Sequence, residues 1–186
     1  GGLGGGGGGV WATAESLAGV DSPSPAGRCG REHTRCCERG PTLALVEVVA
    51  LSQAVNRRLS SAGRQDAVTR ARVVVRGAGG PCPLLEPFPD HAALQGRCRI
   101  FHSRPIPCRA SDLPEPEREA LWHEALAPGL DRLSREMFVA LTGDFPDEEM
   151  VEFSLAEAVS GKYVERFFHW LARSASGSGA GAGAGN

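Results

Sequence analysis

Lysine is almost missing from this 186-residue chain: Lys162 is the only one, and nearly all the positive charge is arginine. The formal net charge is −2 and no basic stripe is present, which argues against a nucleic-acid-binding domain built on phosphate neutralisation. No apolar run approaches the ~20 residues that span a bilayer. The N-terminus carries neither the positive segment nor the sustained apolar segment of a secretory signal. The expectation is therefore a cytoplasmic protein with no nucleic-acid and no membrane partner. Phosphate loops and SAM-binding fingerprints are lacking too. Gly77, Ala78, Gly79 and Gly80 are followed not by Lys and Ser/Thr but by Pro81, Cys82 and Pro83, so this stretch reads as a turn that delivers Cys82. Nor does any Cys/His or Ser/His/Asp spacing demand nucleophilic catalysis. The excess of Ala, Gly and Pro beside so little lysine is the mark of a GC-rich, bacterial type of coding sequence.

What glycine there is lies mostly at the two ends. Residues 1–26 form a Gly/Pro/Ser-rich leader that buries too little apolar area to offset ordering, with at most a short fluctuating helix over residues 10–17. Residues 174–186 form a flexible Gly/Ala/Ser tail. Residues 27–173 then make one domain with a modest core. Its pattern is mostly α with a small β element. A helix is expected over residues 43–59, capped by Thr42, with Leu43, Val46, Ala50 and Ala54 on its apolar side and Arg57 and Arg58 at its negative end. Glu47 sits off the polar face, either as a helper near a metal or as half of an ion pair with an arginine, and the ion pair is the simpler reading. Residues 71–76 are β-branched and read as a short strand. Beyond Glu115, Leu121, Trp122, Ala125 and Leu126 make one helical stripe. After Pro128 and Gly129 a second runs through Leu130, Leu133, Met137 and Leu141 to a C-cap at Gly143. Ser154 caps a short helix. After Gly161 a last helix presents Tyr163, Val164, Phe167, Phe168 and Leu171 as a core stripe. The carboxylates Asp147, Glu148 and Glu149 between these helices read as a solvated surface.

The six cysteines carry the chemistry. In a reducing compartment they are metal ligands or reactive thiols rather than disulfides, although an even count would also suit three bridges in an extracellular domain. Cys29, Cys36 and Cys37 come early; Cys82, Cys98 and Cys108 come late. His33 stands between Cys29 and Cys36, where an imidazole could ligate or simply occupy a loop. Adjacent cysteines rarely bond each other, so Cys36 and Cys37 should face different partners. Residues 84–85 and 99–101 could pair as a hairpin that brings Cys82 and Cys98 together, with His91 and His102 nearby as solvated loop residues. Pro105 and Pro107 should hold Arg104 and Ile106 extended and place Cys108 at a fixed reach from Cys98.

The run Cys98, Ile100, Phe101, Arg104, Pro105, Cys108 and Arg109, preceded by the pair Cys36 and Cys37 and by Cys82 with Pro83, resembles the YkgJ-type cysteine-cluster family of zinc- or iron-chelating domains. Phe101 stands where that family more often has tyrosine, and His33 departs from its cysteine spacing. The resemblance implies an irregular Cys-rich metal-binding core packed by helices. Its ligands would be Cys29, Cys36, Cys37, Cys82, Cys98 and Cys108, with His33 possible, and the cofactor zinc or an iron–sulfur cluster. Arg104 and Arg109 recur at motif positions and would offset the charge of the thiolates or bond nearby carbonyls, the alternative for Arg104 being a pair with a surface carboxylate. Six cysteines exceed the four ligands of one zinc or one cubane site, so two are left over or two metals share the set. The expected function is metal binding. The alternative is an iron–sulfur-dependent redox enzyme or a methylase-like enzyme that modifies proteins.

Overall fold

The computed structural model describes residues 34–89, 96–146 and 149–177. Cys29, His33, His91, Asp147 and Glu148 lie outside the described residues, as do the leader through residue 33 and the tail from residue 178. Over the described residues the chain is mostly helical with two small antiparallel sheets of two strands each, as its pattern predicts. No described helix is long and apolar enough to cross a membrane.

In chain order the elements are α1 (Arg35–Arg39), β1 (Thr42–Leu43), α2 (Leu45–Arg58), α3 (Ser61–Val73), β2 (Leu85–Pro87), β3 (Gly96–Cys98), α4 (Ile106–Ala110), α5 (Glu115–Leu121), α6 (Ala127–Thr142), β4 (Phe153–Ser154), α7 (Leu155–Ser160) and α8 (Lys162–Gly177). A wide π-type turn continues α3 from Val74 until Gly77, at φ 81°, breaks the helical path, a second joins α5 to α6 over Trp122–Leu126, and Phe101–Ser103 forms one 3-10 turn.

Several local expectations give way to tertiary structure. Thr42 does not cap α2; it pairs with Ser154 across the β1–β4 ladder, and Ala44 precedes the helix instead. The buried face of α2 is Leu45, Val48, Leu51 and Val55, whereas Ala50 is exposed and Ala54 only half-buried. Residues 71–76 are not a strand. Ser60 accepts the Gly63 amide at 3.1 Å and starts α3, which runs helically through this β-branched stretch. Ala67 and Ala71, both at 0 % exposure, let α3 lie close against α7, and that packing outweighs the local strand preference. Pro128 does not break the helix. The wide turn over residues 122–126 lies just upstream, where the prolyl ring and its missing N–H would otherwise disrupt regular i→i−4 bonding.

Other elements follow the sequence closely. Gly143, at φ 83°, ends α6. Ser154 and Glu157 form a reciprocal capping box at the start of α7, the Ser154 hydroxyl accepting the Glu157 amide at 3.1 Å. Gly161, at φ 81°, separates α7 from α8. On α8 the buried pair is Phe167 and Trp170; Phe168 is 61 % exposed and Val164 43 %, so the expected stripe rotates by about one position toward Trp170. The last helix also continues into the residues read as tail, ending at Gly177.

The main core joins α2, α3, α7 and α8. Phe153 is fully buried with Tyr163 edge-on at 6.1 Å, and Phe138 of α6 meets Trp170 edge-on at 5.5 Å. A smaller cluster of Val46, Ile106, Ala110, Leu126 and Leu130 fastens α4 between α2 and the α5–α6 helix. The cysteines border the first cluster on the side of α1 and the β2–β3 hairpin.

Candidate functional site

Four short segments carry the described cysteines. α1 supplies Cys36 and Cys37 and ends at Gly40, whose left-handed conformation turns the chain into β1. Cys82 is tied back to α1 by its amide, which donates to the Cys37 carbonyl at 3.3 Å, and its own carbonyl accepts the Leu85 amide at 3.0 Å. Cys98 ends β3, directly opposite Leu85. The expected hairpin therefore forms, with its second strand at Gly96–Cys98 rather than residues 99–101. The Arg99 amide extends it by donating to the Leu84 carbonyl at 3.0 Å. Only glycine fits at position 96, where a Cβ would lie 2.2 Å from the Glu86 carbonyl oxygen.

The proline arm delivers Cys108 differently from expectation. Arg104 is extended, at φ −61° and ψ 142°, but Ile106 is not: it opens α4, with Pro107 tolerated in the first turn where no intrahelical donor is needed. Cys108 thus sits on a helix, fully enclosed, rather than on an extended tether.

The five thiols converge. The Cys36 and Cys37 sulfurs are 3.9 Å apart; Cys37 also bonds Cys82, Cys36 bonds Cys108, and Cys98 feels the charge of Cys82 and Cys36. Adjacent cysteines thus serve different partners. No disulfide joins any two of the described cysteines. Hydrogen bonding and burial divide their protons unequally. Hydrogen bonding to Cys36 and Cys82 pushes Cys37 up, bonding to Cys36 and burial push Cys108 up, and burial pushes Cys98 up to about 12. Cys82, receiving the Cys37 bond and the amides of Leu84 and Leu85, is pulled down. A second thiolate beside the first is costly without a countercharge. Among the described residues, no group of three or more His, Cys, Asp or Glu side chains is arranged to hold a metal ion.

Arg104 is a buried cation whose charge acts on the thiols. Its side chain is only 4 % exposed and lies 4.3 Å above the Phe101 ring. It donates to the Phe101 carbonyl at 3.2 Å and the Cys108 carbonyl at 3.5 Å, and forms a two-pronged pair with Asp112 at 2.9 and 3.3 Å. Both sequence readings of Arg104 meet here, since it bonds carbonyls of the cysteine arm and pairs with a carboxylate. Its charge is felt by Cys98, and the sulfurs of Cys36 and Cys108 act on it in turn. Arg109 donates to the Arg104 carbonyl at 2.9 Å and the His102 carbonyl at 3.3 Å, bracing the arm from outside. His102 is exposed, edge-on to Phe101 at 5.2 Å.

The ion pair expected of Glu47 does not form. The residue is 2 % exposed; its Oε1 accepts the Ile106 amide at 2.8 Å, while Oε2 has no partner. Burial pushes its carboxyl up to about 7, helped by the nearby Glu152 charge and against the pull of the Ile106 and Ala44 amides and of the Arg109 charge. Asp112 and the orphaned oxygen of Glu47 escape sequence reading because both depend on where α4 lies, which no local pattern encodes. Compared with known proteins, the chain matches no family model, no curated protein and no solved structure.

Proposed function

We propose that the chain is a metal-binding protein that takes zinc or an iron–sulfur cluster through Cys36, Cys37, Cys82, Cys98 and Cys108, with Cys29 and His33 as further ligands. The observation that supports it is the convergence of five thiols from four separate segments onto one half-buried layer. Apolar packing alone gives no reason to gather so many thiols, and cysteine conserves its energy as a small hydrophobe equally well when dispersed. Thiolate donors suit both zinc and iron–sulfur chemistry. The residues fit such a group in donor type, and Arg104 fits as the countercharge for an anionic thiolate set. When bound, the metal would supply the positive charge that lets neighbouring sulfurs ionise together; a cluster would add electron transfer. The reducing cytoplasm is the compartment in which such thiols stay available. The resemblance to YkgJ-type chelating domains points the same way.

Binding between segments so distant in sequence would couple metal to folding, contributing on the order of 10 kcal/mol at neutral pH if it resembles structural zinc. The test is anaerobic purification followed by metal and acid-labile sulfide analysis with a visible spectrum. Stoichiometric zinc in a colourless protein, or iron and sulfide in a brown one, supports the reading. A metal-free protein whose stability is unchanged by Cys108→Ser sinks it.

A further inference from the structure

Ala50, Ala54, Arg57 and Arg58 follow one another at helical spacing on α2, and His102 and Arg109 of the cysteine arm stand across from them. Between the two lies a cavity of about 280 Å³ that no cysteine lines. Ala50 and Ala54 make the room. Their methyl groups, expected in the core, instead lie exposed and half-buried in the cavity wall, where longer side chains would fill the space.

The charge of the lining is one-sided. Arg57, Arg58, Arg104 and Arg109 face one carboxyl group, that of Glu47, which is 2 % exposed. Arg104 is committed to Asp112 at 2.9 Å, and Arg109 is braced by the Arg104 and His102 carbonyls. Arg57 and Arg58 make no ion pair and no side-chain hydrogen bond among the described residues. The carbonyls that end α2 do not engage them either. Arg64 of α3 serves that end, donating to the Asn56 carbonyl at 3.2 Å and the Leu59 carbonyl at 2.8 Å. Arg58 and His102 also border a wider groove beside Cys98, so the cavity opens toward solvent on that side. Like charges gathered in a cleft repel one another and raise the local concentration of anions.

The ligand this lining calls for is an oxyanion. A cation would meet arginines, and a neutral group would leave their charge unanswered. A carboxylate has one edge, which a single guanidinium fork satisfies, whereas a phosphate turns several oxygens outward and accepts from more than one guanidinium at once. We propose that this cavity binds a single phosphate group, free or at the end of a small phosphomonoester, with Arg57 and Arg58 donating to its oxygens and any organic body lying over Ala50 and Ala54. The inference does not rest on the metal reading, because no cysteine lines the cavity.

Isothermal titration of the chain with n-butyl phosphate at fixed ionic strength tests it, with sodium butyrate and n-butylammonium chloride as controls. Saturable one-site binding of the phosphate is expected, tighter than that of butyrate and absent for the amine. Arg57 and Arg58 are both exposed, so the double variant Arg57→Gln, Arg58→Gln leaves the core untouched; it should weaken binding by about ten-fold or more, as loss of charge-assisted bonds does. Arg72→Gln removes an equally exposed arginine of α3 outside the cavity, and should leave the affinity within about two-fold. Inorganic phosphate separates the sources. Weaker binding than butyl phosphate identifies an organic phosphomonoester, equal or tighter binding identifies free phosphate, and either supports the site. No saturable binding by the parent chain, butyrate binding as tightly as butyl phosphate, unchanged affinity in the double variant, or an equal loss in Arg72→Gln overturns the proposal.

Discussion

The two sides of this domain are built by different means. Around Phe153, Phe138 and Trp170, the helices α2, α3, α6, α7 and α8 bury large apolar side chains in regular, capped elements. On the cysteine side the elements are a helix of five residues, two strands of three, one 3-10 turn and another helix of five. Elements that short do not stand alone, and a two-stranded hairpin is marginal in water. The contrast teaches that the aromatic side can hold its shape by packing, while the thiol side borrows order from its neighbours and, in the proposed function, from metal.

Breaking the packed side should have the largest effect. Phe153→Ala empties a fully buried site and should lower stability by about 3–5 kcal/mol in chemical denaturation, whether or not metal is present. Glu47→Gln should act at the seam between the sides, and with pH. The carboxyl is raised from 4.5 to about 7 in the fold, so the folded state holds its proton more tightly than the unfolded chain between these values. Stability is therefore unpenalised below pH 4.5, falls as pH rises toward 7, and above 7 carries the full cost of about 3 kcal/mol. The variant escapes this cost, so its stability relative to the parent should rise across that window; a pH-independent difference would contradict the assignment. Gly96→Ala should sharpen the comparison from the other side, costing about 1–3 kcal/mol by forcing β3 away from the Glu86 carbonyl. Its signature is a loss of metal uptake through displaced Cys98, with the helical circular dichroism retained. Smallest is Arg132→Ala, which removes an exposed pair with Glu136 at 3.2 Å and should change stability by less than about 0.5 kcal/mol.

How far the sequence could be read follows the same division. Gly143, the Ser154 and Glu157 box and Gly161 are local signals with local causes, and the structure carries them out. Residues 71–76 looked like a strand because Val73, Val74 and Val75 favour extended backbone; the alanines that dock α3 onto α7 reverse that preference, and their effect is visible only once α7 is in place. Ala50 and Phe168 were misplaced for a related reason. Periodicity finds an apolar stripe, but its angular position is settled by the partner helix. At the cysteines, the hairpin was legible from residues 84–85 and 99–101, although its second strand lies at Gly96–Cys98. The approach of Cys108 to Cys36 was not, because it depends on α4 being wedged by Ile106 and Ala110 into the smaller core. Arg104 was legible as a bracket for the cysteine arm, whereas its pairing with Asp112 was not.

The measurement that bears most directly on the proposed division is the thermal unfolding of the anaerobically purified chain with and without a strong chelator, followed separately by tryptophan fluorescence and by thiol reactivity. The account predicts stoichiometric metal release, a marked drop in the midpoint and prompt exposure of the five thiols, with Phe153→Ala and the chelator destabilising independently. An unchanged midpoint with no metal released, and thiols that become reactive only when the whole chain unfolds, would contradict it.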